Sequence, residues 1–438
     1  MSYINLKSAV LFISLFVGTM SFAQIWTLEQ CIDTALVNNN AVKILENQNE
    51  IALLKNKEVK ANLIPKVTAN GEYKYFVDLP YQLMPLSVFG GPDGQFKEAQ
   101  FGVPHNINGN LTIQIPIYSA KLYGAIDKTE IAINTVDLQI QKTKEQIYFE
   151  VSALYRNAQL LMNKELFLES SISNTEKVLD NVKQLQEALL ATGTDVKKVA
   201  LQLSILNSQR DQIESKTTQV LNGLKLYMGL SMDFDLAIDP LINLTTTQTY
   251  DTKPSLEIGI NRFQQELVTA DIKSLQKSRY IPDVGIVGYL GTNGYGYDVA
   301  PNDFLNFYPL SFVGLKVSYP LFNGTVTNKQ ISQKRIEHEN LQLQEATIVD
   351  KTNLGIYNAQ ENLKVALDQI EIRLAQVALA EEIYSEVDLQ HQQGIASTLD
   401  VIQADNELRQ TKQNYLTAVI ESIVADLELQ KITGNILK

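Results

Sequence analysis

The fold of this chain is decided by a stretch that occurs twice, as Leu189-Leu-Ala-Thr-Gly-Thr-Asp-Val196 and as Gly394-Ile-Ala-Ser-Thr-Leu-Asp-Val401, at a constant offset of 205 residues. The register then holds without a gap to Leu226-Tyr-Met-Gly229 against Lys431-Ile-Thr-Gly434. A period near 205 residues is far too long for a solenoid of small repeats. The sequence therefore predicts two copies of one large structural unit, a first repeat over residues 24–240 and a second over residues 241–438.

The first 23 residues are typical of a cleaved secretory signal. Lys7 supplies a positive charge, Ala9 to Met20 form a short apolar run, and Ser21-Phe-Ala23 place small residues at the cleavage site. A membrane anchor is the alternative, but the run is shorter than the roughly 20 residues that span a bilayer. We therefore expect export with removal of residues 1–23, and no transmembrane helix in the rest of the chain.

The charge balance and the cysteine count exclude some functions and some covalent links. The chain has 49 Asp and Glu against 37 Lys and Arg, and this acidic balance argues against nucleic-acid binding. Cys31 is the only cysteine, so an intrachain disulfide is impossible. We expect its side chain to be a small buried group in a first helix.

Long proline-free tracts predict two pairs of helices. The tracts 121–189 and 325–393 are each followed by a second predicted helix, 195–229 and 398–432. In the second helices apolar or small residues step by three and four, as in a coiled-coil seam. The seam positions include Val199, Leu203, Leu206, Leu224, Val401, Ala404, Leu408, Ala418, Ala425 and Leu429.

Four short segments alternate with a period of two and predict β-strands, at about 67–77, 106–116, 284–292 and 311–320. The third segment alternates less cleanly, because Val287 and Tyr289 fall on its polar face. A one-sided soluble sheet would give this alternation, but the lengths also suit tilted strands of a membrane barrel. Four strands cannot close such a barrel, since about eight are the minimum, so several chains would have to share it. The connections 78–105 and 293–310 are predicted to be long external loops.

The order of these segments resembles that of a known family. The tract Trp26-Thr-Leu-Glu29, Ile-Pro junctions at Pro65 and Pro282, and two Asp-Val helix starts fall in the same order in a duplicated chain. Over essentially the whole mature sequence, this arrangement resembles the TolC-type outer-membrane efflux and secretion channels. The resemblance implies a mixed α and β membrane protein that forms a homotrimer. Four strands per chain would enter a shared 12-stranded β-barrel in outer-membrane lipid, and the helices would form a long α-helical coiled-coil barrel in the periplasm.

The same resemblance implies a function without catalysis. The expected role is a passive exit duct for efflux or type I secretion, docked to a periplasmic adaptor (membrane fusion) protein and an inner-membrane RND or ABC transporter. A non-conducting periplasmic coiled-coil scaffold or adaptor is the alternative. No Ser-His-Asp arrangement, phosphate loop or zinc spacing occurs in the sequence, so we expect no enzyme activity, no cofactor and no metal site.

A helix-capping pattern precedes the second helix of each predicted pair. Thr192-x-x-Asp195 and Ser397-x-x-Asp400 place a hydroxyl at the N-cap and an acid three residues later. Thr192 and Ser397 are therefore the predicted N-caps at the tips, and the acids are expected to stabilise the first helical turn.

The resemblance gives the second tip a further role as a periplasmic gate. It implies that Asp400 forms a ring of carboxylates, that Asp195 is the matching acid of the first tip, and that Gly394 makes the tip turn. Three crowded carboxylates would attract cations, and their mutual repulsion would raise their pKa values. The chain departs from the family at Gln403, where the family has a second acid. The family's best-studied member also holds its tip closed with an arginine and a tyrosine, and those positions fall on Ala396 and His391 here. A solvated histidine at a helix end is the alternative interpretation of His391.

Overall fold

The structure is a computed structural model that describes residues 25–243, 250–300 and 303–437. The predicted signal at 1–23 lies outside the described residues. In chain order the elements are β1 (Ile25–Trp26), α1 (Leu28–Asn38), α2 (Asn40–Ala61), β2 (Lys66–Tyr75), β3 (Tyr81–Pro85), a 3-10 turn (Leu86–Phe89), β4 (Phe96–Gln100), β5 (His105–Tyr118), α3 (Ala120–Glu187), α4 (Gly193–Met228), β6 (Ala237–Ile238), α5 (Leu256–Tyr280), β7 (Asp283–Tyr297), β8 (Phe304–Ser318), α6 (Val326–Gln392) and α7 (Thr398–Ile432).

The described chain forms two compact units. The sheet unit consists of residues 48–137, 261–300 and 303–345, and the helical unit consists of residues 25–47, 138–243, 250–260 and 346–437. Each compact unit contains segments from the first repeat and from the second. The sequence repeats and the compact units therefore do not coincide.

The sheet unit is organised around one antiparallel sheet with the strand order β2-β5-β7-β8. Directly paired residues lie on the same face, so that Ala69, Leu111 and Leu290 share one face across three strands. This face, which we call the apolar face, also carries Val67, Ile113, Ile286, Val313 and Leu315. The opposite face, the polar face, carries Asn70, Asn110 and Asn293. The predicted mixture of helices with four alternating strands is confirmed.

Two strand boundaries and one loop are corrected by the structure. β7 continues to Tyr297 and β8 begins at Phe304, so most of the predicted loop 293–310 is strand. The period of two was hidden there because aromatic residues occupy the polar face as well, at Tyr295, Tyr297 and Phe304. The predicted loop 78–105 also contains structure, since β3 and β4 form an antiparallel hairpin within it.

The long helices are continuous. α3 contains 68 residues and α6 contains 67, and all four predicted long helices begin and end within two residues of the predicted positions. Seam positions such as Val199, Leu206, Val401 and Ala404 are buried, which confirms the coiled-coil pattern. Among the described residues, no helix combines the length and the apolar composition that crossing a bilayer requires.

The main core of the helical unit forms around the first helix. Cys31, Ile32 and Ala35 of α1 pack with Leu224 and Met228 of α4. Burial raises the pKa of the Cys31 thiol to about 12, so the thiol stays protonated and unreactive at neutral pH. The expectation of a small buried side chain at this position is confirmed.

Candidate functional site at the helix tips

The two helix pairs end in the same backbone turn. The Leu190 N–H donates to the Leu185 carbonyl at 2.8 Å, and the Ile395 N–H donates to the Gln390 carbonyl at 2.9 Å. In each case the residue before the donor has a left-handed backbone, with φ of 63° at Leu189 and 74° at Gly394. Both tips are therefore Schellman turns, in which a left-handed residue ends the helix.

Leu189 is the unusual member of this pair. A left-handed backbone suits glycine but costs a residue with a Cβ about 1 kcal/mol. Glycine occupies this position only in the second tip, whereas the left-handed conformation occurs in both tips. The side chain of Leu189 is 93% exposed, so no packing contact explains why leucine occupies this position.

Each tip carries a reciprocal cap at the start of its second helix. Thr192 is the N-cap of α4: its Oγ1 accepts a hydrogen bond from the Asp195 N–H at 3.3 Å, and its own N–H donates to the Asp195 carboxylate at 3.0 Å. Ser397 is the N-cap of α7 and makes the same two bonds with Asp400, at 3.3 and 2.8 Å. Each hydroxyl also donates to the carboxylate, at 2.6 Å from Thr192 and 2.7 Å from Ser397.

These hydrogen bonds favour the ionised form of the two carboxyl groups at the tips. The Ser397 side chain and then its backbone N–H hold the pKa of Asp400 below its ordinary value, because both bonds favour the carboxylate form. Thr192 lowers the pKa of Asp195 in the same way. This lowering of the pKa acts against the increase in pKa that repulsion between three crowded carboxylates would cause.

The other candidate gate residues lie near Asp400 but do not bond to it. His391 is in the last turn of α6, and its Nε2 lies 3.2 Å from the Thr398 hydroxyl, which ties the end of α6 to the start of α7. Gln403 is exposed and donates to Glu407 of its own helix at 3.3 Å. Within the described chain no hydrogen bond or ion pair connects Asp195 to Asp400, so each tip carries its acid separately.

The structure adds a polar cluster along α7, behind the second tip, that sequence reasoning missed. Burial raises the pKa of Asp405, and a hydrogen bond with Ser171 of α3 and the charges of Arg409 and Lys412 oppose the rise. The Arg409 guanidinium is also partly desolvated, which lowers its pKa, and Asp405 opposes that shift. Asp405 and Arg409 lie four residues apart on α7, a spacing at which oppositely charged side chains of a helix are neighbours.

This cluster connects the two repeats. Arg409 donates from Nη1 to Gln209 Oε1 at 3.3 Å and from Nη2 to Asn406 Oδ1 at 3.0 Å. Gln202 of α4 donates to the same Asn406 oxygen at 2.9 Å. No sequence signal could have shown these contacts, because the periodicity of each helix does not say how the helices of the two repeats are aligned.

The tips themselves are apolar and exposed. Leu189, Leu190 and Ile395 have 93%, 76% and 72% of their surface exposed, and Leu399 has 50%. Adjacent exposed apolar side chains rimmed by polar groups are typical of interaction sites. In the described part of the chain no group of three or more His, Cys, Asp or Glu side chains is arranged to hold a metal ion.

Comparison with known proteins gives one family match. Residues 261–435 match the sequence model of the family described as outer membrane efflux protein. A comparison with curated protein sequences finds no match.

The fold has close counterparts among solved structures. CusC, described as forming a transmembrane channel, superposes with a TM-score of 0.72 at 15% identity, over 93% of this chain and 91% of that chain. The outer membrane protein VceC from Vibrio cholerae gives a TM-score of 0.72 at 15% identity, over 93% and 96%. The CmeC outer membrane channel from Campylobacter jejuni gives 0.71 at 12% identity, over 94% and 86%. At these identities the likeness establishes the fold.

The family match covers the second repeat, and the superpositions extend the same architecture over nearly the whole chain. Over residues 261–435 the chain is therefore similar in sequence to the outer membrane efflux protein family, and over nearly its whole length it has the fold of CusC and VceC.

Proposed function

We propose that this protein is a passive outer-membrane exit duct for efflux or type I secretion. The observation that carries the proposal is the four-stranded sheet, in which β2 and β8 are the two end strands. One face of this sheet is predominantly apolar, interrupted by His105, Thr292 and Ser311, as expected of a surface that meets lipid. Four strands are too few to close a membrane barrel, so the free edges call for further copies of the chain.

A homotrimer satisfies this requirement. Three copies would supply 12 strands, with β8 of one copy beside β2 of the next, and closure would satisfy the backbone groups on both edges. The apolar face would then meet outer-membrane lipid, and the polar face would line the lumen. We further propose that a signal peptide at 1–23 directs export, and that the long helices lie in the periplasm.

The helix tips support docking to other proteins. The exposed apolar residues Leu189, Leu190 and Ile395 could seat a periplasmic adaptor, which would in turn connect the duct to an inner-membrane RND or ABC transporter. Asp400 would line the constriction as a ring of three carboxylates, accompanied by Gln403 rather than by a second acid. Energy for transport would come from the partner pump.

Covalent trapping of the sheet edges tests this arrangement. Cys31 is the only native cysteine and is buried, so introduced cysteines would be the reactive thiols. Ala69→Cys in β2 would be paired in turn with Ser311→Cys, Val313→Cys or Leu315→Cys in β8. We expect at least one pair to give a covalent trimer on oxidation of the membrane fraction. The matched control, Ala69→Cys with Leu111→Cys, joins paired residues of one chain and should give only monomers.

The same samples distinguish the alternative function. A duct should be extracted from membranes only with detergent. A water-soluble protein in which every edge pair stays monomeric would contradict the proposal and favour the periplasmic scaffold.

A further inference from the structure

The polar face of the sheet is divided into two unlike halves. On β2 and β5 it carries Lys, Thr, Asn, Glu and Gln side chains. On β7 and β8 it carries what we call the aromatic row: Tyr289, Tyr295, Tyr297, Phe304, Tyr308 and Phe312. An inner wall that served only to hold water would not need six rings on neighbouring strands.

The rings of the aromatic row lie side by side across the two strands. Tyr289 and Phe312 stack with centroids 5.3 Å apart and planes within 3°. Tyr297 and Phe304 stack at 6.4 Å, and Tyr295 lies 6.0 Å from Tyr308. The rings are not sealed in a core, because Tyr308 and Phe312 remain 54% and 50% exposed. The row therefore presents accessible aromatic rings along the polar face.

A series of hydrogen-bonded asparagine side chains extends across the polar face to the aromatic row. Asn70 donates to Asn110, which donates to Asn108, and Asn108 donates to Asn293 at 2.6 Å. Asn108 also donates to the Tyr289 hydroxyl at 3.2 Å, which connects the amides to the aromatic row. Amides fixed in this way offer both donors and acceptors without any net charge.

A cavity of about 340 Å³ opens where the two halves meet, at the end of the sheet beside the β3–β4 hairpin. Its walls include Asn108, Asn293 and Tyr295 from the sheet and Phe101 from the connection that follows the hairpin. Glu72 and Lys74 also line it, but they form an ion pair at 2.9 Å and so neutralise each other. The volume is that of a site for one small molecule.

We propose that this cavity and the adjoining aromatic row form a binding subsite for neutral, planar aromatic compounds that carry hydrogen-bonding groups. The rings would stack on the flat face of such a compound, and the Asn293 amide nitrogen would donate to acceptors on its edge. The paired charges favour an uncharged ligand over an ion. The inference rests on the proposed function, since it takes the polar face as the inner wall of the duct.

Caffeine is a suitable probe because it is neutral, planar, water-soluble and rich in hydrogen-bond acceptors. The full chain, extracted in detergent, would be titrated with caffeine by saturation-transfer NMR, and caffeine would also be added to channels in planar bilayers. We expect binding in the roughly millimolar range, as is usual for one stacked ring and a few hydrogen bonds, with brief interruptions of the ion current.

Four matched variants locate the site. Tyr295→Ser combined with Tyr308→Ser should weaken caffeine binding at least about tenfold, since two neighbouring rings are removed. Tyr295→Phe keeps the ring and should bind as the native chain does. Tyr81→Ser makes the same chemical change at an exposed tyrosine of β3 that does not line the cavity, and it should have no effect. Asn293→Leu should weaken caffeine binding while leaving the rings in place.

The two readouts separate the two proposals. Channels that conduct but show no caffeine binding, or equal binding in all variants, would overturn the subsite and leave the duct standing. Equal, tyrosine-dependent binding of maltose would overturn the ligand class, because a sugar lacks the aromatic plane. Tyrosine-dependent caffeine binding by a protein that passes no current would support the subsite and contradict the duct.

Discussion

Gln202 of α4 donates to Asn406 of α7 at 2.9 Å, so an amide pair joins the first sequence repeat to the second behind the helix tips. Arg409 reinforces the link by bonding to the same Asn406 oxygen and to Gln209. The alignment of the two helix pairs is therefore set by polar contacts as well as by the apolar seams.

Removing Arg409 should loosen this link. Arg409→Ala deletes two hydrogen bonds and removes a positive charge that stabilises the partly buried Asp405 carboxylate, for a loss of about 2 kcal/mol in the free energy of unfolding. The control is Arg373→Ala, because Arg373 bonds only to Gln376 on its own helix. Denaturant unfolding of the detergent-extracted protein measures both variants, and equal losses would contradict a special role for the Arg409 contacts.

The left-handed turn at Leu189 should be improved by glycine. Leu189→Gly removes the cost of a Cβ at φ 63° and should stabilise the first tip by about 1 kcal/mol. Gly394→Ala should destabilise the second tip by a similar amount, through the backbone alone, because no atom lies within 4 Å of an added Cβ. The free energy of unfolding measures both, and a Leu189→Gly variant less stable than the native chain would show that leucine makes a contact absent from the isolated chain.

Lowering the pH should weaken the N-caps at the helix tips. The pKa of Asp400 is held below its ordinary value of 3.8 by Ser397, so the cap contributes its full stability above that value and loses it as the pH falls through the lower folded-state pKa. Ser397→Ala should raise the pKa of Asp400, and cation preference should then be lost at a higher pH than in the native duct. The pH dependence of reversal potentials measures this shift, with Thr192→Ala as the matched change at the other tip. An unchanged pH dependence in Ser397→Ala would show that Ser397 does not control the ionisation of Asp400.

The two tip carboxylates should differ in their effect on selectivity. Asp400→Ala should reduce cation preference or cation block towards the ratio expected from free-solution mobilities, because the proposed ring of charge is removed. Asp195→Ala removes an equivalent cap and should mainly loosen the first tip. Reversal potentials under a salt gradient compare the two variants. Equal and negligible changes would leave both residues with a capping role only.

The general architecture could be predicted from the sequence because its periodicities are long and repeated. Proline-free heptads determined α3, α4, α6 and α7, and the Thr-x-x-Asp and Ser-x-x-Asp patterns marked where the second helix of each pair begins. The start of β8 was missed because Phe304, Tyr308 and Phe312 put rings on the face where polar residues were expected. The hairpin of β3 and β4 lies in a segment rich in glycine and aromatic residues that looked like an irregular loop.

The candidate site was predicted only in part, for a physical reason. Caps depend on residues three positions apart, so a sequence pattern can reveal them. The link between Gln202 and Asn406 and the burial of Asp405 depend on how separate helices are aligned, and no local pattern contains that information. The left-handed backbone at Leu189 was also missed, because leucine normally avoids that conformation and no local pattern marks it.

The central claim, that copies of this chain enclose a conducting lumen, is tested most directly by recording currents from the detergent-extracted protein in planar bilayers. The account predicts discrete, cation-preferring current steps from native protein, with the preference reduced in Asp400→Ala. Folded trimers that insert into the bilayer and pass no current would contradict it.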